Sequence, residues 1–506
     1  MSSESSTPAE RRDEIRDRHH EAADEAIPES LDLFIGGEFV EADGGERFET
    51  RDPTTGDVLG EVARGTAADV DRAVEAAREA YESEWSGYDA AKRQRVLTGI
   101  ADAIEAEADA FATIEALDNG KPIREAKGDV YAVVDHFRYF AGAARVNEGI
   151  SLPADDTRSV QTIREPYGVV GAITPWNFPL LIATWKLAPA LAAGNSVILK
   201  PAEQTPLSAL KLCEVVQDVV PDGVLNVITG YGEEAGEPLT NHEGVGKLAF
   251  TGSTPVGKQV MKNAAENVTD VTLELGGKSP VVVFPDADLK SAARNAFIAI
   301  FYNKGETCTA GSRMFVHADI YDEFMDQLVG IAQSTDPGDP LEKDTSFGPK
   351  VSDEQVERVL EYLELAREEG GEFLAGGGTP DDEAFADGAF VEPTIIEGLD
   401  HDSQAVQEEI FGPVLEVFEW DDYDEMISLA NDVDYGLAAG IMTSDVKQAH
   451  QTARDIEAGT VWVNQYNDFP AGMPFGGFKQ SGNGRETAFE TMQAYTRTKA
   501  IDISMR

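Results

Sequence analysis

The chain is poor in cysteine, histidine and basic residues. Two cysteines in 506 residues, Cys213 and Cys308, provide no disulfide framework. Seven scattered histidines do not complete a clustered ligand set, so no metal site is expected. Lysine and arginine number 41 against 93 acids, a net charge of -52. Such a surface repels phosphate backbones and anionic headgroups, which excludes nucleic acid and membranes as expected partners. The most apolar stretch, residues 169–199, is interrupted by Asn177, Lys186, Asn195 and several prolines, so it does not read as a membrane span. Residues 1–30 lack the apolar segment of a signal peptide. A cytoplasmic protein is expected.

Hydrophobic residues make up 42% of the chain, ample for packed cores. The length suggests about two or three domains. The acids run along most of the chain, as a solvated face would. Adaptation to a high-salt cytoplasm, where screening relieves self-repulsion, is a related reading, and capture of cationic substrates is a competing one.

Residues 1–30 read as a mobile, acid-rich extension. A hairpin is expected to turn at Gly36-Gly37. Val70, Val74, Ala77 and Tyr81 form one apolar stripe on a helix after Thr66, and a further helical tract covers about 90–115. From Tyr167 short apolar strands alternate with helices: VVGAIT, SVILK, VLNVITG, KLAFTG and VTLEL. That rhythm predicts a parallel α/β sheet. A second α/β run begins near Ser279 with PVVVF. It includes a helix that starts at Ser352, with Gln355 completing a capping box, and stops at Gly370-Gly371.

Four segments carry chemistry. Cys308 lies in GETCTAGSR, among small polar residues suited to the close approach of a substrate, whereas Cys213 lies among apolar neighbours in LSALKLCEVV and reads as packing. Glu274, in LELGGK, ends an apolar strand before two glycines, at the sheet edge where α/β folds bind ligands. FTGSTPVGK offers a glycine-bearing turn and a helix N-terminus to a phosphate, with Thr254 where the usual glycine motif has its middle glycine. In TPWNFP two prolines lock a turn that presents Asn177, an amide suited to holding an oxyanion.

These segments, with ILKPAEQTP, EEIFGPV and PFGGFKQSGNGRE, resemble the aldehyde dehydrogenase superfamily, and they occur in family order after residue 31. The resemblance implies an α/β fold: a Rossmann-like coenzyme domain at 31–143 and 167–276, and a catalytic domain at 277–475. A β-strand oligomerisation arm would comprise 144–166 and 476–506, giving a homodimer or homotetramer. It implies Cys308 as nucleophile, Glu274 as general base, and Asn177 with the Cys308 N–H as oxyanion donors. Lys200 and Glu203 would hold the adenosine ribose, and Trp176, Gly252, Ser253 and Gly257 belong to the pyrophosphate region. Glu409 and Phe411 would place the nicotinamide ribose and ring. Phe178, Trp185, Phe469 and Phe475 match positions that line the family's aldehyde tunnel. Glu306 departs from a frequent glutamine, and Lys304 adds a charge beside it; both are expected to alter surroundings near the nucleophile.

The implied reaction oxidises an aldehyde to a carboxylic acid through a Cys308 thiol ester, which a Glu274-activated water hydrolyses. NAD is the expected cofactor because Glu203 would repel a 2′-phosphate, with NADP as the alternative. Acyl transfer to coenzyme A is disfavoured by the presence of Glu274. A zinc alcohol dehydrogenase lacks its ligands here, and a non-catalytic NAD-binding or structural protein of the same fold is the remaining alternative. The aldehyde itself, and any dependence on potassium, are open at this point.

Overall fold

A computed structural model describes residues 7–154 and 156–506. Five parallel strands rich in apolar residues form the heart of an eight-stranded sheet. From one side to the other they are Leu225–Val227, Ser196–Lys200, Val169–Ile173, Lys247–Thr251 and Asp270–Glu274. The chain starts in the middle, builds outward on one side, then returns to build on the other. The order therefore reverses between Val169–Ile173 and Lys247–Thr251, and the carboxyl ends of the strands there form the crevice in which such sheets bind ligands. The expected hairpin, Leu33–Ile35 with Glu38–Val40, extends one edge.

A second, seven-stranded sheet is parallel except at one edge. Its central strands are Val414–Trp420, Arg313–His317, Pro280–Val283 and Ala438–Met442. Cys308 precedes Arg313–His317 and Glu409 precedes Val414–Trp420, so both lie at amino ends of this sheet. Glu274 lies at a carboxyl end of the first. The two sheets thus deliver their reactive groups from opposite strand ends.

The expected α/β class holds, and the helices after Thr66 and Ser352 span Ala67–Ser83 and Asp353–Glu368. The tract at 90–115 is two helices, Ala90–Ala106 and Ala108–Asn119, broken at Glu107. No helix among the described residues is long and apolar enough to cross a membrane.

The expectation of a mobile extension fails over most of residues 1–30. Residues 1–6 lie outside the described residues, but Pro8–Ala26 is a helix capped by a Thr7–Glu10 box. Its basic residues meet the protein's own acids. Arg16 pairs with Asp57 at 3.0 Å, Arg11 with Asp382 at 3.0 Å and Arg18 with Asp339 at 3.1 Å. Ile15 packs against Phe385 and Phe390. His19 is buried, with Nδ1 2.5 Å from Asp52 and Nε2 2.9 Å from Asp339. A local count of charge could not show partners hundreds of positions away.

Burial pulls the His19 pKa down, but hydrogen bonds and charge from Asp339 and Asp52 outweigh it and raise the value from 6.5 to about 9. The stabilisation is fully present below about pH 6.5 and is lost as pH rises through about 9, and it amounts to about 3 kcal/mol. His19→Gln should therefore lower the thermal midpoint most near pH 6, with the gap narrowing toward about pH 10. Melting curves across that range check this; a pH-independent gap would contradict it.

The C-terminal strand Thr496–Ser504 pairs antiparallel with Arg158–Pro166 over nine registered residues. The segment 476–506, expected in the same arm, does not lie wholly in that sheet. Gly482–Asn483 adds to the first sheet, opposite Leu273 and Glu274. The glycines and polar residues of this loop give no strand periodicity, so its return was not visible in the sequence.

Candidate active site

Asn303, Lys304 and Gly305 take positive φ values of 47°, 56° and 74° in succession, just before Cys308. For the two residues with a Cβ this costs about 1–2 kcal/mol each, so the surroundings must hold the loop. They do. The Asn303 N–H donates to Glu125 Oε2 at 3.0 Å, and the Asn303 amide donates to the carbonyls of Asn177 at 2.9 Å and Glu306 at 3.1 Å. The Asn177 Nδ2 donates to the Glu306 carbonyl at 3.0 Å. One amide hydrogen is thereby fixed, and the second remains for an oxygen at the site.

Cys308 is partly exposed, while Cys213 is fully buried in the helix Leu207–Val216 as expected. Burial, then the charges of Glu409 and Glu274, push the Cys308 thiol up to about 12. It rests protonated at neutral pH. Two glycines permit this crowding. A Cβ on Gly277 would lie 2.4 Å from the Cys308 carbonyl oxygen, and one on Gly276 would lie 2.3 Å from Glu409 Oε2.

Glu274 is buried, and neither carboxyl oxygen accepts a well-formed hydrogen bond from the described residues. Burial raises its pKa well above the ordinary value and the charge of Glu486 raises it further, against weaker pulls from Lys186 and Arg485. Lys186 donates to Glu486 Oε1 at 2.9 Å, and both residues are buried. The pair was missed by sequence reasoning. The available signal was a lone lysine in the helix Pro179–Ala193, whose every residue is buried.

Glu409 is held through Oε1 by the Gly277 N–H at 2.9 Å, and burial raises its carboxyl to about 7. Phe411 has φ 62° and meets Trp176 edge to face with centroids 5.1 Å apart. Lys200 closes its strand with Nζ on Glu203 Oε2 at 3.0 Å; burial lowers its pKa, and Glu203 pulls the other way. Ser253 caps the helix Thr254–Asn267 by position, yet its hydroxyl makes no cap bond, so first-turn N–H groups remain for an anion. Gly252 lies against the Phe250 ring, and Gly257 packs that helix on Leu275. Hydroxyl acceptors at Glu203 and Glu409, an ammonium at Lys200 and a free helix start fit a dinucleotide laid across the strand ends.

The four aromatics expected to line an aldehyde tunnel, Phe178, Trp185, Phe469 and Phe475, belong to or pack against one apolar cluster. Trp185 lies 5.8 Å from Phe469 and 5.4 Å from Phe475, centroid to centroid, and Phe178 stacks on Tyr302 at 6.2 Å. Cys308 packs against the same cluster.

Glu306 does not line an open pocket. It is fully buried between Lys304 at 3.1 Å and Lys350 at 2.9 Å. Burial lowers both lysine pKa values, Lys304 to about 8, while Glu306 opposes the shift.

A model described as "Aldehyde dehydrogenase family" matches residues 39–501. The chain is 45% identical over 480 residues to the acetaldehyde dehydrogenase of Pseudomonas aeruginosa, covering 93% of this chain and 94% of that one. Its fold superposes on an NAD+ complex of an aldehyde dehydrogenase from Bacillus cereus with a TM-score of 0.93 at 44% identity, covering 97% and 99% of the two chains. The betaine aldehyde dehydrogenase of Staphylococcus aureus with NAD+ gives a TM-score of 0.94 at 38% identity, over 97% and 98%.

Proposed function

The chain belongs to the aldehyde dehydrogenase family, and from that premise we propose that Cys308 carries an acyl group from an aldehyde to water. The observation that carries this is a partly exposed thiol, on a loop to which the Asn177 amide is bonded at the amino end of one sheet, with the buried carboxyl of Glu274 at the carboxyl end of the other. The protein is an NAD(P)+-dependent oxidoreductase acting on an aldehyde.

The Cys308 proton leaves to solvent, a loss that the positive charge of a bound NAD+ would favour, and the thiolate adds to the carbonyl carbon. The carbonyl oxygen gains charge, which the free hydrogen of the Asn177 amide and the Cys308 N–H neutralise; such a donor is worth about 10²–10³ in rate. Bound NAD+ supplies a hydride acceptor. Once the adduct has given up its hydride, Cys308 holds a thiol ester. Glu274 then takes a proton from water, which attacks the acyl carbon and releases the acid and the thiol. Its raised pKa keeps its affinity for that proton high.

Lys200 and Glu203 would hold the adenosine ribose, Trp176, Ser253 and the helix start the pyrophosphate, and Glu409 and Phe411 the nicotinamide side. The Glu203 carboxylate would repel a 2′-phosphate, so NAD+ is favoured over NADP+. Residues 31–143 and 167–276 would form the coenzyme domain and 277–475 the catalytic domain. The arm formed by 144–166 and the last strand exposes Ile150, Leu152 and Ile503, apolar surface suited to a second copy in a homodimer or homotetramer. The aromatic cluster suits aliphatic or aromatic aldehydes.

NAD+ reduction by the purified protein with an aldehyde panel, in concentrated potassium chloride with and without coenzyme A, tests this. Carboxylic acid should form at a rate indifferent to coenzyme A. Turnover only with coenzyme A would replace hydrolysis by acyl transfer, and no turnover despite NAD+ binding would favour a non-catalytic role.

A further inference from the structure

Three loops meet behind the nucleophile, and one buried carboxylate joins them. Glu306 Oε2 pairs with Lys304 at 3.1 Å, and Oε1 pairs with Lys350 at 2.9 Å and accepts from the Val351 N–H at 3.1 Å. Lys304 reaches on to the carbonyl of Asn119 at 3.0 Å and its side-chain oxygen at 2.7 Å. The Asn119 amide donates to the Trp176 carbonyl at 2.9 Å, one residue before Asn177. Lys350 donates to the Phe411 carbonyl at 2.8 Å. The contacts form a circuit, because Phe411 meets Trp176 edge to face. Within it, the backbone carbonyl of Glu306 accepts from the Asn177 amide at 3.0 Å.

We propose that Glu306 is a positioning residue: gripped by Lys304 and Lys350, it holds its own carbonyl where it aims the Asn177 amide at the reacting oxygen. The left-handed backbone at Asn303 and Lys304 would relax if that grip were lost, since residues in such conformations persist only where their surroundings over-determine them. Glutamine at 306 has the same shape, but its neutral amide gives one acceptor oxygen to two ammonium groups and turns an N–H₂ toward the other. The carbonyl would shift with the loop, and Asn177 with it. A misplacement of about 1 Å at such a site can cost about 10²-fold in rate. The inference rests on the thiol-ester mechanism, but only on its oxyanion step.

The test is a double-mutant cycle read by hydrolysis of p-nitrophenyl acetate, which needs the Cys308 thiol and the oxyanion amide but no dinucleotide. Glu306→Gln should lower kcat for ester hydrolysis by about 10²-fold while KM stays within a few-fold. Alkylation of Cys308 by iodoacetamide, which develops no oxyanion, should stay within about twofold. Asn177→Ala alone should cost about 10²–10³-fold. In the Asn177→Ala background, Glu306→Gln should cost less than about threefold more, because the amide it positions is gone. Full multiplication of the two losses, or an alkylation rate that falls together with kcat, overturns the proposal and leaves Glu306 a packing residue. If Glu306→Gln does not fold, Glu306→Asp, which keeps the charge and shortens the reach, runs through the same cycle. A wild-type protein that hydrolyses the ester but reduces no NAD+ with any aldehyde would refute the dehydrogenase reading and leave the cycle readable.

Discussion

Glu274→Gln should turn the protein into a single-turnover reagent: one equivalent of NADH per active site in a burst, followed by a steady rate lower by about 10²–10⁴-fold. The carboxyl is buried, and its oxygens accept no well-formed hydrogen bond, so the amide replaces it without breaking a network. Attack by Cys308 and hydride loss do not need this group in the proposed scheme, whereas release of the acid does. The pH dependence follows from the raised pKa. A base must be ionised, so the steady rate of the wild type should climb as pH rises above the ordinary carboxylate range, and the variant should lose that limb. Stability moves the other way. A folded-state pKa above the ordinary 4.5 means that the folded protein holds the proton more tightly than the unfolded chain. Folding is therefore penalised as pH rises above that value, and the glutamine variant should be no less stable at neutral pH. Stopped-flow absorbance of NADH measures the burst. A steady rate reduced without a burst would assign Glu274 to the first half of the reaction instead.

Cys308→Ala should lower turnover by at least about 10⁴-fold while leaving NAD+ binding in place. The other cysteine cannot substitute, since Cys213 is fully buried and its thiol is pushed well above the ordinary value by burial. In the wild type the Cys308 thiol, raised to about 12, should react slowly with iodoacetamide at neutral pH and faster as pH rises. Steady-state kinetics and titration of NAD+ by fluorescence separate the two effects. Substantial turnover by the alanine variant would exclude covalent catalysis.

The strands that build the site were legible because they are short, apolar and β-branched. VVGAIT and SVILK were expected as strands of a parallel α/β sheet, and the chain forms them at Val169–Ile173 and Ser196–Lys200, where they pair in parallel. The Gly36-Gly37 turn was visible because both glycines take positive φ. What no window of sequence could show were ion pairs across the fold. Lys186 and Glu486 are 300 positions apart, and His19 and Asp339 are 320 apart. Each acid or base alone resembles any other in a chain with 93 acids, so its partner, and hence its burial, appears only in three dimensions. The helix Pro8–Ala26 was misjudged for that reason. Glu306 stood out as a departure, but its grip by Lys350, 44 residues on, did not.

The most direct test of the account is the mass of Glu274→Gln after a few seconds with an aldehyde and NAD+, quenched in acid and digested. The account predicts the acyl mass increment on the peptide containing Cys308, at close to one per chain, and its absence when NAD+ is omitted. An unmodified Cys308 peptide beside a full burst of NADH would contradict a thiol ester as the species that water releases.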